Sequence, residues 1–280
     1  MRETEKSVKV KDGEAPRVAA SSYLNSAPLI WSFMHGRGHS EMRLLTDTAP
    51  ARCAQMLARA EVSAALVPVI EYHRIPEIVV VPGVCVGARS RVRSVVLVTR
   101  GAELKDVRSV ALDTTSRTSA ALVQIIFREF LQVEPEWRPS EPDLERMLET
   151  SDAALLIGDP AMTFARRALR VYDLATLWRE HTGLGFVFAM WMARRDAAWR
   201  VRAIDFAGAR DEGLERVEEI VDSYKDMLGL PGSELREYLL DSISFKLDEE
   251  MRAGLSLYYE LARKHEVIPR LRPLQWIDEV

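Results

Sequence analysis

Three short stretches carry side chains whose types and spacing suit the handling of a small anion. TTSRTS, residues 114–119, opens an apolar run and offers five hydroxyls, from Thr114, Thr115, Ser116, Thr118 and Ser119, beside the guanidinium of Arg117. One or two hydroxyls suffice to cap a helix start. The surplus, together with Arg117 and the positive end of a helix dipole, suits a carboxylate. SSYLNS, residues 21–26, gathers neutral polar groups around Asn25, with Tyr23 and Ser26 beside it. Asparagine also ties turns to their own backbone, so this stretch alone leaves both readings open. IGDPAM, residues 157–162, sets Gly158 and Asp159 after an apolar run. Asp159 capping a helix that begins at Pro160 is one reading, and a place on the cleft side of a sheet is the other.

Other chemistries find little footing. His35 and His39 stand four apart in HGRGH, but the two intervening glycines spoil a helical presentation of metal ligands, and His73, His181 and His265 are scattered. No metal or organic cofactor is expected. Gly36 and Gly38 do not follow a strand as a dinucleotide fingerprint requires, and no phosphate-loop lysine pattern or Ser-His-Asp arrangement stands out. Cys53 and Cys85 lie in apolar runs and read as buried, reduced thiols. The six tryptophans read as core. A net charge of -4 and a pI near 5.9 argue against a nucleic-acid partner. Residues 1–15 are charged and read as a flexible tail without the apolar centre of a secretory leader. No stretch reaches the ~18 apolar residues of a membrane helix. A cytoplasmic protein with a small-molecule partner, at most also a homodimer, is the expectation.

The elements that must position these loops follow from the apolar periodicity. PRVAA (16–20), MRLLT (42–46) and SAALVPVI (63–70) read as strands. Between them lie a helix with Pro28 in its first turn and a second helix, capped by Thr48, that runs to about Ala60. A second cycle begins at VVLVT (95–99), continues through VRSVALD (107–113) and reaches AALLI (153–157). The helix after TTSRTS places Leu122, Ile125, Ile126 and Phe130 on one face. FVFAMWMARR (186–195) reads as a strand returning the chain, after which the sequence turns helical, with Met251, Leu255, Tyr258 and Ala262 in one stripe. The alternation of strand and helix predicts parallel sheets. The layout is α/β: two lobes around a central cleft with a helical C-terminal part. Lobe 1 comprises residues 16–95 and 192–280, and lobe 2 residues 96–191. Ligands in open α/β sheets bind beyond the carboxyl ends of the strands. The loops at 21–26 and 114–119 should therefore face one another.

In order along the chain stand SYLNSAPL, VPVIEY (67–72), VRSVVL (92–97), TSRTSAAL (115–122), IGDPAM and TGLGFVFAMW (182–191). Each is weak alone; their order and spacing over about residues 17–265 are specific. The sequence resembles the menaquinone-biosynthesis chorismate dehydratases of the futalosine pathway. The resemblance implies a type II periplasmic-binding-protein-like fold and a lyase that removes water from chorismate to give 3-[(1-carboxyvinyl)oxy]benzoate. It also implies that Asn25 is the active-site asparagine and that Ser116, Thr118 and Ser119 hold a substrate carboxylate. Tyr23, Ser26, Arg117, Gly158 and Asp159 complete the expected substrate-binding set. The chain departs from the family at Val69, where many relatives carry serine, and at Ala88-Arg89-Ser90, where others carry Ser-x-Gly. The related enzyme that forms 1,4-dihydroxy-6-naphthoate and a non-catalytic binder of small carboxylates are the rival expectations.

Overall fold

A computed structural model describes residues 15–166 and 168–280; the expected tail at 1–15 thus lies almost wholly outside the described residues. Strands β1 (Arg17–Ser21), β2 (Arg43–Asp47), β3 (Ala64–Pro68) and β4 (Ile78–Ala88) come first. Strands β5 (Val95–Thr99), β6 (Ser109–Asp113), β7 (Glu136–Ser140), β8 (Ala153–Ile157) and β9 (Arg170–Asp173) follow, and then β10 (Phe186–Arg194). They form two five-stranded sheets, ordered β2-β1-β3-β10-β4 and β7-β6-β8-β5-β9. The two-sheet α/β layout expected from the sequence is what the chain adopts.

Neither sheet is purely parallel, which corrects the expectation. β1 runs parallel to β2 and β3, whereas β10 pairs antiparallel with β3 and β4. In the second sheet β6 is parallel to β7 and β8, and β5 runs against β8 and β9. The reason is topological. β5 enters its sheet, and β10 re-enters the first, from the side where the chain switches sheets, so each runs opposite to strands that end there. Residues 186–191, expected in lobe 2, therefore pair with the first sheet. The switches occupy residues 89–94 and 174–185.

Local chemistry explains other differences. β4 has no plain strand signature in the sequence because Pro82-Gly83 interrupts it like a turn; the strand continues through that point, with Gly83 at φ +74° and two register shifts against β10. The helix Pro50–Ala58 is not capped by Thr48, since Asp47 Oδ1 takes the Ala49 N–H at 2.7 Å and the Arg52 guanidinium besides. Trp178 and Trp191 are fully buried as expected, but Trp199 stands 65% exposed. Both cysteines are buried and free, and burial pushes each thiol up to about 12. Among the described residues no helix is long and apolar enough to cross a membrane, and no cluster of metal-ligating side chains occurs.

The C-terminal helices complete the first sheet and reach the second. Helix Glu249–Lys264 starts at Asp248, whose carboxylate accepts the Met251 N–H at 3.0 Å. Its Met251, Leu255, Tyr258 and Ala262 are all buried in the main core, which contains residues of both sheets. From that stripe the Tyr258 hydroxyl donates to the Thr118 carbonyl at 3.1 Å, across the junction of the sheets.

Candidate active site

A cleft lies between the carboxyl ends of β1 and β3 on one side and β6 and β8 on the other. Its floor is apolar, with Leu66, Val86, Val95 and Phe188. Tyr23, Asn25 and Ser26 form one polar wall, and residues 115–119 face them. Among the described residues Arg117 is the one charged group in the lining. The site is thus built mainly of neutral donors on an apolar bed.

The second wall is a helix start left open. After β6, the Asp113 carboxylate folds the chain back by accepting the Thr115 N–H at 2.8 Å and hydroxyl at 2.6 Å. Burial raises its pKa above the usual carboxylate range, against the pull of those two bonds, and its Oδ2 is buried without a partner among the described residues. The helix Arg117–Ile125 then begins at Ser116, which occupies the N-cap position yet makes no side-chain cap bond. Simple capping, the alternative reading of this loop, is therefore not what the Ser116 hydroxyl does. Ser116 and Ser119 are buried, line the cleft and make no side-chain hydrogen bond among the described residues. The N–H groups of Arg117, Thr118 and Ser119 likewise meet no acceptor there. Unpaired donors at a helix N-terminus are a receptor for an anion.

Thr118 and Arg117 are partly engaged. The Thr118 hydroxyl accepts the Ile70 N–H at 3.3 Å, which leaves its own proton to donate. Arg117 sends Nη1 to Glu71 at 2.8 Å; Glu71 is 1% exposed and also holds Arg74 at 3.2 Å. Arg117 therefore answers a buried carboxylate as well as the cleft. The departures at 88–90 do not supply a substitute cation, because Arg89 pairs with Asp248 and Glu250.

The first wall is a 3-10 turn, Leu24–Ser26, entered directly from β1. Ser26 Oγ lies 2.7 Å from Ser21 Oγ and 3.3 Å from Asn25 Oδ1. The buried Tyr238 hydroxyl donates to Ser94 Oγ at 2.6 Å. The Tyr23 phenol is raised to about 12, first by burial and then by the Asp113 charge.

Gly158 and Asp159 join the walls differently from each other. Gly158 lines the cleft at φ +63°, and a Cβ there would sit 2.6 Å from the Tyr23 ring. The helix starts at Gly158 rather than Pro160, and Asp159 Oδ1 accepts the Leu24 N–H at 3.1 Å. Asp159 is not in the cleft lining; it clasps the opposite loop. Burial raises its pKa to about 6. Every other site residue expected from the sequence, namely Tyr23, Asn25, Ser26, Ser116, Arg117, Thr118, Ser119 and Gly158, lines the one cleft. Sequence reasoning missed Glu71 and Asp113, which anchor Arg117 and the Thr115 turn. Both lie inside stretches read as strands or motifs, Glu71 in VPVIEY and Asp113 at the end of VRSVALD, with nothing local to mark their partners.

Comparison with known proteins fits this geometry. A chorismate dehydratase of Thermus thermophilus is 31% identical over 261 residues, covering 85% of this chain and 92% of its own. A structural-genomics target protein of Archaeoglobus fulgidus superposes with a TM-score of 0.72 at 19% identity, over 92% of this chain and 100% of that one. The periplasmic aliphatic sulphonate binding protein SsuA from Escherichia coli gives 0.63 at 18% identity, over 94% of each chain. These likenesses establish the periplasmic-binding-protein-like fold. The family model described as menaquinone biosynthesis matches residues 16–264, and the chain belongs to that family.

Proposed function

We propose that the protein is a chorismate dehydratase, a cytoplasmic lyase that converts chorismate to 3-[(1-carboxyvinyl)oxy]benzoate and water. The observation that carries this reading is the open helix start at Arg117–Ser119, with the free hydroxyls of Ser116 and Ser119, set across an apolar cleft from Asn25. The chorismate dehydratase of Thermus thermophilus supports the choice of substrate.

Chorismate carries two carboxylates on a ring one elimination short of aromaticity. Loss of the ring hydroxyl and of the hydrogen on the adjoining ether carbon completes a benzene ring, so the obstacle is kinetic. Removing that hydrogen drives electron density through the diene toward the ring carboxylate. The donors of residues 116–119 stabilise this charge as it grows, and one such donor is worth about 3 kcal/mol. The base is the substrate's own enolpyruvyl carboxylate, which lies beside the hydrogen it removes. No carboxylate or histidine lines the cleft among the described residues, and a neutral amide such as Asn25 has almost no basicity. Asn25 instead orients that carboxylate or the departing hydroxyl, and held proximity of this kind is worth several kcal/mol. The apolar floor keeps water from the developing charge.

The test is incubation of purified protein with chorismate and, separately, with a cyclised futalosine derivative. Growth of the aromatic enol ether from chorismate supports the proposal. Conversion of the futalosine derivative alone assigns the naphthoate-forming reaction, and binding of chorismate without turnover assigns a carboxylate-binding protein.

A further inference from the structure

We propose that Glu71 is a positioning residue: it tethers one arm of the Arg117 guanidinium at the cleft wall and leaves another edge free for a substrate carboxylate. The proposal rests on the dehydratase reading for its kinetic consequence, though not for its geometry.

Glu71 lies in the 3-10 turn Val69–His73, which follows β3, and is 1% exposed. The turn is pinned on both sides of it. The Tyr259 hydroxyl donates to the Val69 carbonyl at 2.8 Å, and the Ile70 N–H donates to Thr118 Oγ1 at 3.3 Å. The N–H groups of Arg74 and Ile75 return to the Glu71 carbonyl at 3.0 and 2.8 Å. The carboxylate is therefore a fixed point. Its Oε2 accepts from Arg117 Nη1 at 2.8 Å and its Oε1 from Arg74 Nη1 at 3.2 Å.

Charge and donor count assign the roles. Two guanidinium groups share one carboxylate, so the trio keeps one positive charge over, enough to balance one more carboxylate. Arg117 lines the cleft and Arg74 does not; Arg74 reaches the Val267 carbonyl at 3.4 Å instead. A guanidinium has five N–H donors, and Glu71 takes one of those on Arg117. Nε and Nη2 of Arg117 make no hydrogen bond among the described residues, and an edge of that kind matches both oxygens of a carboxylate. Burying a carboxylate costs solvation that an ion pair recovers only in part, so stability alone is a poor reason for Glu71. What the pair secures is place. The Arg117 side chain is 30% exposed, and a long side chain with that access to water would otherwise spread over many rotamers.

Glu71→Met keeps the bulk and removes both acceptors, whereas Glu71→Gln keeps one. With chorismate, Glu71→Met should lower kcat/KM about 10- to 100-fold, and Glu71→Gln should lower it less. The loss should fall on KM more than on kcat, because the carboxylate is charged before as well as during the reaction. In an Arg117→Met background either change should alter kcat/KM by no more than about twofold, because its route of action is gone. A second readout needs no ligand. In 15N-arginine-labelled protein the Arg117 Nε–H signal is identified by its loss in Arg117→Met. Its heteronuclear NOE should be high in wild type and fall sharply in Glu71→Met. If Glu71→Met does not fold, the same comparisons with Glu71→Gln decide. An unchanged NOE in the folded variant, or an equal loss of kcat/KM in both backgrounds, would overturn the proposal in favour of a structural ion pair alone. If wild type does not turn over chorismate, the dehydratase reading fails by itself and the NOE decides the role of Glu71.

Discussion

Ser119 and Thr118 stand side by side in the second wall, yet their hydroxyls have different duties. The Ser119 hydroxyl lines the cleft and has no hydrogen-bond partner among the described residues, so Ser119→Ala should lower kcat/KM about 10- to 100-fold and leave the urea midpoint unchanged. Thr118 also satisfies the buried Ile70 N–H. Thr118→Val should therefore lower activity and also cost about 1–3 kcal/mol of stability, read from the same urea titration. Activity within twofold of wild type for both variants would remove the donor role of this wall. Of the site's individual residues, the sequence showed those with a surplus: five hydroxyls are more than a cap needs. It could not show that Glu71 anchors Arg117, because the two lie 46 positions apart.

Elements were legible where periodicity was uninterrupted. β1, β3, β5, β6, β8 and β10 follow from apolar runs bounded by turn residues, and the stripe on helix Glu249–Lys264 follows from its spacing. β4 was hidden by Pro82-Gly83, and β7 and β9 by polar residues at the edges of their sheet. Strand direction was not legible, since a crossover strand has the same composition whichever way it runs. The turn at Gly158 shows how tightly two elements meet. Its left-handed backbone and the Tyr23 ring at 2.6 Å from a hypothetical Cβ both oppose a side chain. Gly158→Ala should cost about 1–3 kcal/mol in unfolding free energy and displace Tyr23. A variant of unchanged stability would show that the two elements have room to separate.

At the scale of the molecule, the walls of the cleft are joined by Asp159 to Leu24 N–H, Arg117 to Glu71, Thr118 to Ile70 N–H and Tyr258 to the Thr118 carbonyl. The first of these depends on pH. Burial raises Asp159 from an ordinary carboxylate value to about 6, so the folded state favours its neutral form. The stability associated with that proton is present below the unfolded pKa near 4 and is lost as pH rises through about 6. Above pH 7 the charged, buried group costs on the order of 2–3 kcal/mol. Asp159→Asn keeps an acceptor for Leu24 and removes the charge. It should raise Tm by several degrees at pH 7.5 and by nearly nothing at pH 4, as followed by calorimetry. Equal shifts at both pH values would mean that Asp159 does not titrate in this window.

The most direct test of the whole account is a crystal structure with the aromatic enol ether bound. The ring carboxylate should accept from the N–H groups of residues 117–119 and the hydroxyls of Ser116 and Ser119. The ring should rest on Phe188, and the enolpyruvyl arm should reach Asn25. Product lodged elsewhere, or turned so that neither carboxylate meets that helix start, would contradict the account.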